Sequence, residues 1–341
     1  MTSQKISYIS AAKPETSETI LFEEQLAGLD YDIDVHVCTS EGEIIEAVKG
    51  ADVIVNRGVA MPRNIIEQID SAQAIVSLGH GFDRIDHYAA TDNGIMVVNS
   101  AGFCTEEVAN HAMMLLLASA KKLTFLNETL KSGNWDNDTR SNLNPLGTID
   151  GQTLGLVSFG NIARAVARRA QAFGLRVIAY DPYIPSWIAK EYRVELVSTL
   201  RDLAENSDYV SAHVPLNEET EKMMDSGFFN AMKPNAYFIN TCRGGTVDED
   251  ALIQSLQAGK IAGAGLDVFA EEPTSKDNPL LKMDNVIVTP HSAGTSEISF
   301  QTGFTRMGQE TANLIKGRSP MSLVNPEVRS SIAIRPAARH V

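Results

Sequence analysis

Cysteine is scarce in this 341-residue chain. There are three, Cys38, Cys104 and Cys242. An odd, sparse set does not read as a disulfide framework and suits a reducing cytosol. Long hydrophobic runs are missing too. The most apolar run, Ala112 to Ala118, is far short of the ~20 residues that a membrane span needs. Met1 to Ser10 has one lysine and no apolar core followed by a cleavage site, so no leader is expected. Positive charge is also short: 29 Lys and Arg against 43 Asp and Glu leave a net charge of −14. Such a field repels phosphate backbones and anionic lipid, so no nucleic-acid or membrane partner is expected. An anionic substrate would then need a local basic pocket. No repeat, low-complexity tract or metal-ligand set stands out. What remains is ordinary globular composition, 43% hydrophobic and 21% charged. The length suggests two domains of a cytoplasmic protein.

Short β-rich runs alternate with helical patterns along the chain. Lys5–Ile9, Ile33–Cys38, Val53–Val55 and Ala74–Leu78 read as strands, with helical periodicity at 20–29, 43–49 and 62–69. Thr105 to Leu126 reads as one long helix, with Glu106 and Glu107 complementing its dipole. After a polar connection, a second series of strands follows at 153–157, 176–180, 209–213, 236–240, 263–268 and 286–289. A final helix pattern covers 299–316. This alternation predicts an α/β protein with parallel sheets.

The strand Leu154–Val157 runs into Ser158-Phe-Gly160-Asn161-Ile162-Ala163 and then a helical pattern. A dinucleotide fingerprint has G-x-G-x-x-G/A here, so Gly160 and Ala163 match and Ser158 replaces the first glycine. Read alone, this is also compatible with a plain strand-to-helix turn. Asp181 ends the next strand 21 residues after Gly160, where an acidic residue can bond the adenosine ribose hydroxyls. No Arg or Lys lies among Pro182, Tyr183 and Ile184 to meet a 2′-phosphate, which favours NAD over NADP.

Three further residues follow predicted strands, where open α/β sheets place ligands. Arg243 lies in Asn240-Thr241-Cys242-Arg243-Gly-Gly, Glu272 in Asp267-Val-Phe-Ala-Glu-Glu272-Pro, and His291 in Thr289-Pro290-His291. Arg243 offers a planar fork for a carboxylate. Separately, each also reads as a surface ion pair, a loop carboxylate and a turn histidine.

Together these motifs resemble the D-isomer-specific 2-hydroxyacid dehydrogenases. The resemblance runs from about Ala51 to Pro326. It includes Gly79-His80-Gly81-Phe-Asp-Arg-Ile-Asp86, Thr105-Glu-Glu-Val-Ala-Asn-His111, the Ser158–Ala163 loop, His213-Val-Pro215-Leu216 and the three segments above. It implies two doubly wound, Rossmann-like domains with an interdomain cleft. The substrate domain would be discontinuous, 1–101 with 298–328, the NAD-binding domain 102–297, and 329–341 a tail. It implies reversible hydride transfer between NAD(H) and a D-2-hydroxy acid or its 2-oxo acid. His291 would be the general acid–base, since a histidine pKa near ~6.5 suits proton transfer near neutrality. Glu272 would orient His291, and Arg243 would hold the substrate carboxylate and carbonyl. Arg57, His80 and Gly81 would complete the substrate site. Asn161 and Ile162 would meet the pyrophosphate beside Ser158 and Gly160, Asp181 the ribose and Asp267 the carboxamide. Thr105, Thr241, His213 and Pro215 would line the cofactor site. The family resemblance also implies a homodimer, with the long helix after Thr105 and the segment near Trp135 at its interface.

The departures are Ser158 in the phosphate turn, His80 where relatives usually carry a small or aliphatic residue, and Cys242 beside Arg243. Glu272 argues against the formate-specific branch, which carries Gln. The sequence ends soon after Asn325-Pro326, so no added C-terminal regulatory domain is expected. Two other readings stay open: an NAD-sensing, corepressor-like binding protein, and an NADPH-preferring hydroxypyruvate or glyoxylate reductase.

Overall fold

The computed structural model describes residues 3–135 and 148–328; the tail at 329–341 lies outside them. The chain divides into two compact units, Met1–Cys104 with Ser296–Val341, and Thr105–Thr295.

The first unit holds five parallel strands: β1 (Gln4–Ser10), β2 (Tyr31–Val37), β3 (Val53–Arg57), β4 (Ala74–Ser77) and β5 (Met96–Asn99). Their order is β2-β1-β3-β4-β5. Alternation along a strand sends neighbours to opposite faces. Ile54 enters a core with Ile9, Ile75 and Val97. Val53 and Val55 enter another with Tyr8, Val76, Phe304 and Met307. The last two belong to the helix Glu297–Ile315, which returns the C-terminal chain to this unit.

The second unit holds seven parallel strands: β6 (Thr153–Val157), β7 (Arg176–Tyr180), β8 (Glu195–Leu196), β9 (Tyr209–Ala212), β10 (Tyr237–Asn240), β11 (Gly263–Leu266) and β12 (Val286–Val288). Their order, β12-β11-β10-β9-β6-β7-β8, reverses direction between β6 and β9. Both faces are covered by apolar clusters, so the central strands read as continuous hydrophobic runs.

Three local features differ from the sequence reading. The helix expected over 105–126 is two helices, Thr105–Ala120 and Leu123–Lys131. Lys122 breaks it by adopting a left-handed conformation (φ +50°), with no glycine or proline to announce the change. The first helix starts at Thr16, ahead of the expected Ile20, because Glu15 and Glu18 form a reciprocal capping box. Strands β5 and β8 were not expected; they span four and two residues.

Candidate active site

In the second unit, the expected cofactor and catalytic residues other than Thr105 follow the C-terminal ends of β6, β7, β9, β10, β11 and β12. The first group surrounds the reversal between β6 and β9, where two oppositely directed crossovers leave a crevice. Ser158 follows β6 and takes φ +73°, a conformation that costs an L-residue roughly 1–2 kcal/mol. The turn therefore keeps the shape a glycine would give it. The Ser158 hydroxyl donates to Asp181 Oδ2 (3.2 Å), and Phe159 N–H donates to the same oxygen (2.8 Å). Asp181 Oδ1 accepts from Tyr183 N–H at 2.9 Å. The acidic residue expected at the ribose is thus also the hub that ties the β6 turn to the β7 loop.

Gly160 caps the helix Asn161–Ala172, and no side chain closes that end. A Cβ on Gly160 would meet nothing within 4 Å, so the approach to the helix start is open. Asn161 and Ile162 supply first-turn N–H groups, which have no carbonyl of the helix to bond and favour an anion. Thr241 Oγ1 and His213 Nδ1 are enclosed and have no hydrogen-bond partner. The other ring nitrogen of His213 contacts Ser211 Oγ at 2.9 Å. Although the residue is only half-buried overall, enclosure of its ring pushes the imidazole down to about 3, so it is neutral at pH 7. Pro215 follows on the exposed side of this loop, and Thr105 heads its helix. An open helix start, a carboxylate at the second strand and an unpaired enclosed hydroxyl fit a dinucleotide.

At the other end of this sheet, His291 Nδ1 and Glu272 Oε2 are 2.6 Å apart. Glu272 Oε1 accepts from Phe269 N–H at 3.1 Å, so the carboxylate is fixed on both oxygens. The pair borders a hollow of about 570 Å³ walled largely by Phe269, Pro273, Leu281, Val288 and Pro290. The pair itself stays open to solvent, with the His291 side chain 47% and the Glu272 side chain 30% exposed.

His291 itself is left-handed, with φ +49°. Asp267 holds it there. The Asp267 carbonyl accepts His291 N–H (2.8 Å), while its carboxylate accepts N–H from Ser292 (2.9 Å) and Ala293 (2.8 Å). Thr289 donates its hydroxyl to the same carboxylate at 2.6 Å, and His111 Nε2 lies 2.9 Å from that hydroxyl. Since Thr289 uses its proton on Asp267, His111 must donate from Nε2. Asp267, expected at the carboxamide, is fully buried and is bound into the loop carrying His291. The sequence reading missed His111 and Thr289, both inside motifs it had singled out.

Arg243 is placed by the loop after β10. Asn240 accepts from Cys242 N–H (3.0 Å) and donates to the Arg243 carbonyl (3.1 Å). Gly244 then passes so close to Phe269 that a Cβ would lie 1.9 Å from its carbonyl, so only glycine fits there. Burial pushes the Cys242 thiol up, which keeps it protonated and unreactive.

The first unit carries the other three expected residues. Arg57 ends β3 beside Ser10 at the end of β1. The loop after β4 bears His80 and Gly81. His80 Nδ1 accepts Gly102 N–H at 3.1 Å, which puts the ring proton on Nε2, and its carbonyl accepts from Asn99 (2.6 Å).

Comparison with known proteins identifies the family. Residues 113–293 match the model of the D-isomer specific 2-hydroxyacid dehydrogenase, NAD binding domain. The chain is 39% identical to a glyoxylate reductase of Korarchaeum cryptofilum, over 87% of this chain and 89% of that one. It is 38% identical to a D-3-phosphoglycerate dehydrogenase of Methanocaldococcus jannaschii, over 86% of this chain but only 55% of that longer protein. An NADPH-dependent glyoxylate/hydroxypyruvate reductase of Sinorhizobium meliloti, solved with NADP and malonate, superposes with a TM-score of 0.81 at 27% identity, covering 96% of this chain and 98% of that one. This chain belongs to the D-isomer specific 2-hydroxyacid dehydrogenases, and residues 113–293 are that family's NAD binding domain.

Proposed function

We propose that the protein interconverts a 2-oxo acid and its D-2-hydroxy acid with NAD(H). The single observation carrying this reading is the Glu272–His291 pair, held at 2.6 Å on a left-handed histidine loop. When bound, NADH supplies the hydride. His291 delivers a proton from Nε2 to the substrate oxygen and removes it in the reverse direction. Glu272 holds Nδ1, sets the tautomer and stabilises the imidazolium. Arg243 binds the substrate carboxylate and carbonyl through its fork. Asp267 keeps the histidine loop in its strained shape.

Residues 1–101 with 298–328 act as the substrate domain in this reading, with contacts from Arg57, His80 and Gly81. Residues 102–297 bind the cofactor. Asn161 and Ile162 hold the pyrophosphate, Asp181 the ribose, and Thr105, Thr241, His213 and Pro215 the walls. Asp181 favours NADH over NADPH, because its charge opposes a 2′-phosphate.

The reading also includes a cytoplasmic homodimer acting on free small molecules. No described helix is long and apolar enough to cross a membrane. The helix Leu123–Lys131 buries none of its residues, and Leu123, Leu130 and Trp135 are exposed, Trp135 at 77%. Such an apolar face suits a second copy.

The test is NADH and NADPH oxidation against glyoxylate, hydroxypyruvate, pyruvate and branched or aromatic 2-oxo acids. Turnover with NADH is the expected result. Binding of NADH without turnover of any acid would convert the reading to an NAD-sensing protein.

A further inference from the structure

The first unit has its own topological switch. In the order β2-β1-β3-β4-β5, the crevice lies beyond the carboxyl ends of β1 and β3. Ser10 and Arg57 are the paired last residues of those strands. Arg57 Nη2 meets Glu18 Oε1 at 2.5 Å, and Nη1 donates to Ser10 Oγ at 3.4 Å. Glu18 is 1% exposed, and its other oxygen accepts Glu15 N–H at 3.2 Å. The Arg57 side chain is 25% exposed, so it is not fully enclosed. Two enclosed polar atoms here have no partner, Tyr8 Oη and Arg57 Nε. Burial pushes the Tyr8 phenol up, which keeps it a neutral donor.

We infer that this crevice accepts substrate tails bearing an uncharged hydroxyl and disfavours tails bearing a phosphate. The inference deepens the dehydrogenase reading and rests on it. An arginine alone would be a strong phosphate site. Here its charge is already balanced by a carboxylate that cannot turn to water, since Glu18 is buried and anchored by a backbone N–H. An approaching dianion gains little from the balanced pair and meets the Glu18 charge behind it. A hydroxyl has no such penalty, and its oxygen can accept a hydrogen bond from the guanidinium. Arg84, another cation of this unit, is turned onto the Gly58 carbonyl at 3.2 Å. Glu18 is a positioning and charge-balancing residue, because it acts through Arg57.

The experiment measures kcat/KM with NADH for hydroxypyruvate and 3-phosphohydroxypyruvate, with tailless glyoxylate as the internal reference. Wild type should prefer hydroxypyruvate by about 100-fold or more, the scale on which a mismatched polar group is rejected. Glu18→Gln keeps the side chain's size, exchanges one of its two accepting oxygens for a donor and removes the balancing charge. It should narrow that ratio by about tenfold through a gain on the phosphorylated acid. Arg57→Gln leaves Glu18 uncompensated and should widen the ratio instead. Equal use or preference for the phosphorylated acid by wild type overturns the inference even if a variant fails to fold. An unchanged ratio in folded Glu18→Gln, or a narrowed one in Arg57→Gln, also overturns it. If no 2-oxo acid is reduced, the dehydrogenase reading itself falls; a preference for the phosphorylated acid leaves that reading standing.

Discussion

The two sheets follow one topological rule but prepare their switch points in opposite ways. Around the reversal between β6 and β9 the second unit leaves donors without protein partners: an uncapped helix start at Gly160 and, after β10, the enclosed Thr241 hydroxyl. At β1 and β3 the first unit closes its strongest donor, since Arg57 is tied to buried Glu18. The first arrangement invites phosphate and the second discourages it. A chain with a net charge of −14 thus confines its anion attraction to chosen places. Shared topology says where a ligand sits; the charge balance there says which kind.

The largest effect that sharpens this contrast removes the chemistry from one unit while leaving its switch point intact. His291→Ala should lower kcat by roughly 10²–10⁴, the usual worth of a positioned acid–base group, with little change in NADH affinity. Steady-state rates and a fluorescence titration of NADH would show this; a variant with near-normal kcat ends the assignment.

Next comes the enclosed His213 beside the cofactor turn. Its pKa is depressed to about 3 in the folded protein, whereas an unfolded histidine titrates near ~6.5. Between these values the unfolded chain binds more protons, so stability falls as pH is lowered through that window. The unfolding free energy should drop by up to about 2 kcal/mol from pH 7 to pH 5 on this account. Urea melts at both values should show a smaller drop in His213→Gln. Equal pH dependence in the two proteins would mean the ring is not held neutral.

A smaller effect separates the switch points directly. Asp181→Ala should shift the NADH/NADPH ratio of kcat/KM by about tenfold toward NADPH. The hydroxypyruvate/phosphohydroxypyruvate ratio should stay fixed. Crossed behaviour, with Asp181 moving substrate choice, would dissolve the comparison. The smallest effect is expected of Ser158→Gly. Relief of the left-handed strain is offset by unfolded-chain entropy and the lost bond to Asp181, for a net change within about 1 kcal/mol. Denaturant midpoints would reveal a larger loss and so a greater role for the Ser158 hydroxyl.

Much of this was legible from residues alone because parallel sheets write themselves as apolar runs followed by site residues. Val53-Ile-Val55 and Leu154–Val157 are such runs, and each leads into a proposed contact. The Gly160–Asp181 spacing and the Pro290-His291 ending carried the nucleotide and acid–base readings. Other features depend on distant partners and leave no local mark. Glu18 looks like a solvated first-turn acid until Arg57, 39 residues on, covers it. His111 and Asp267 are joined through Thr289, across 178 and 22 residues. Lys122 breaks a helix with a residue that favours helices. Very short strands such as β8 have too few residues to show a period.

The left-handed backbone of His291 has a consequence for directed evolution. Asparagine visits that conformation about as readily as histidine, and glycine visits it without strain. Replacing His291 with either loses the contact to Glu272 but little backbone stability, while removing the proposed acid–base group. A library screened only for survival on heating would then fail to purge impaired variants at this position, because the fold asks for a left-handed residue there and only the proposed chemistry asks for histidine.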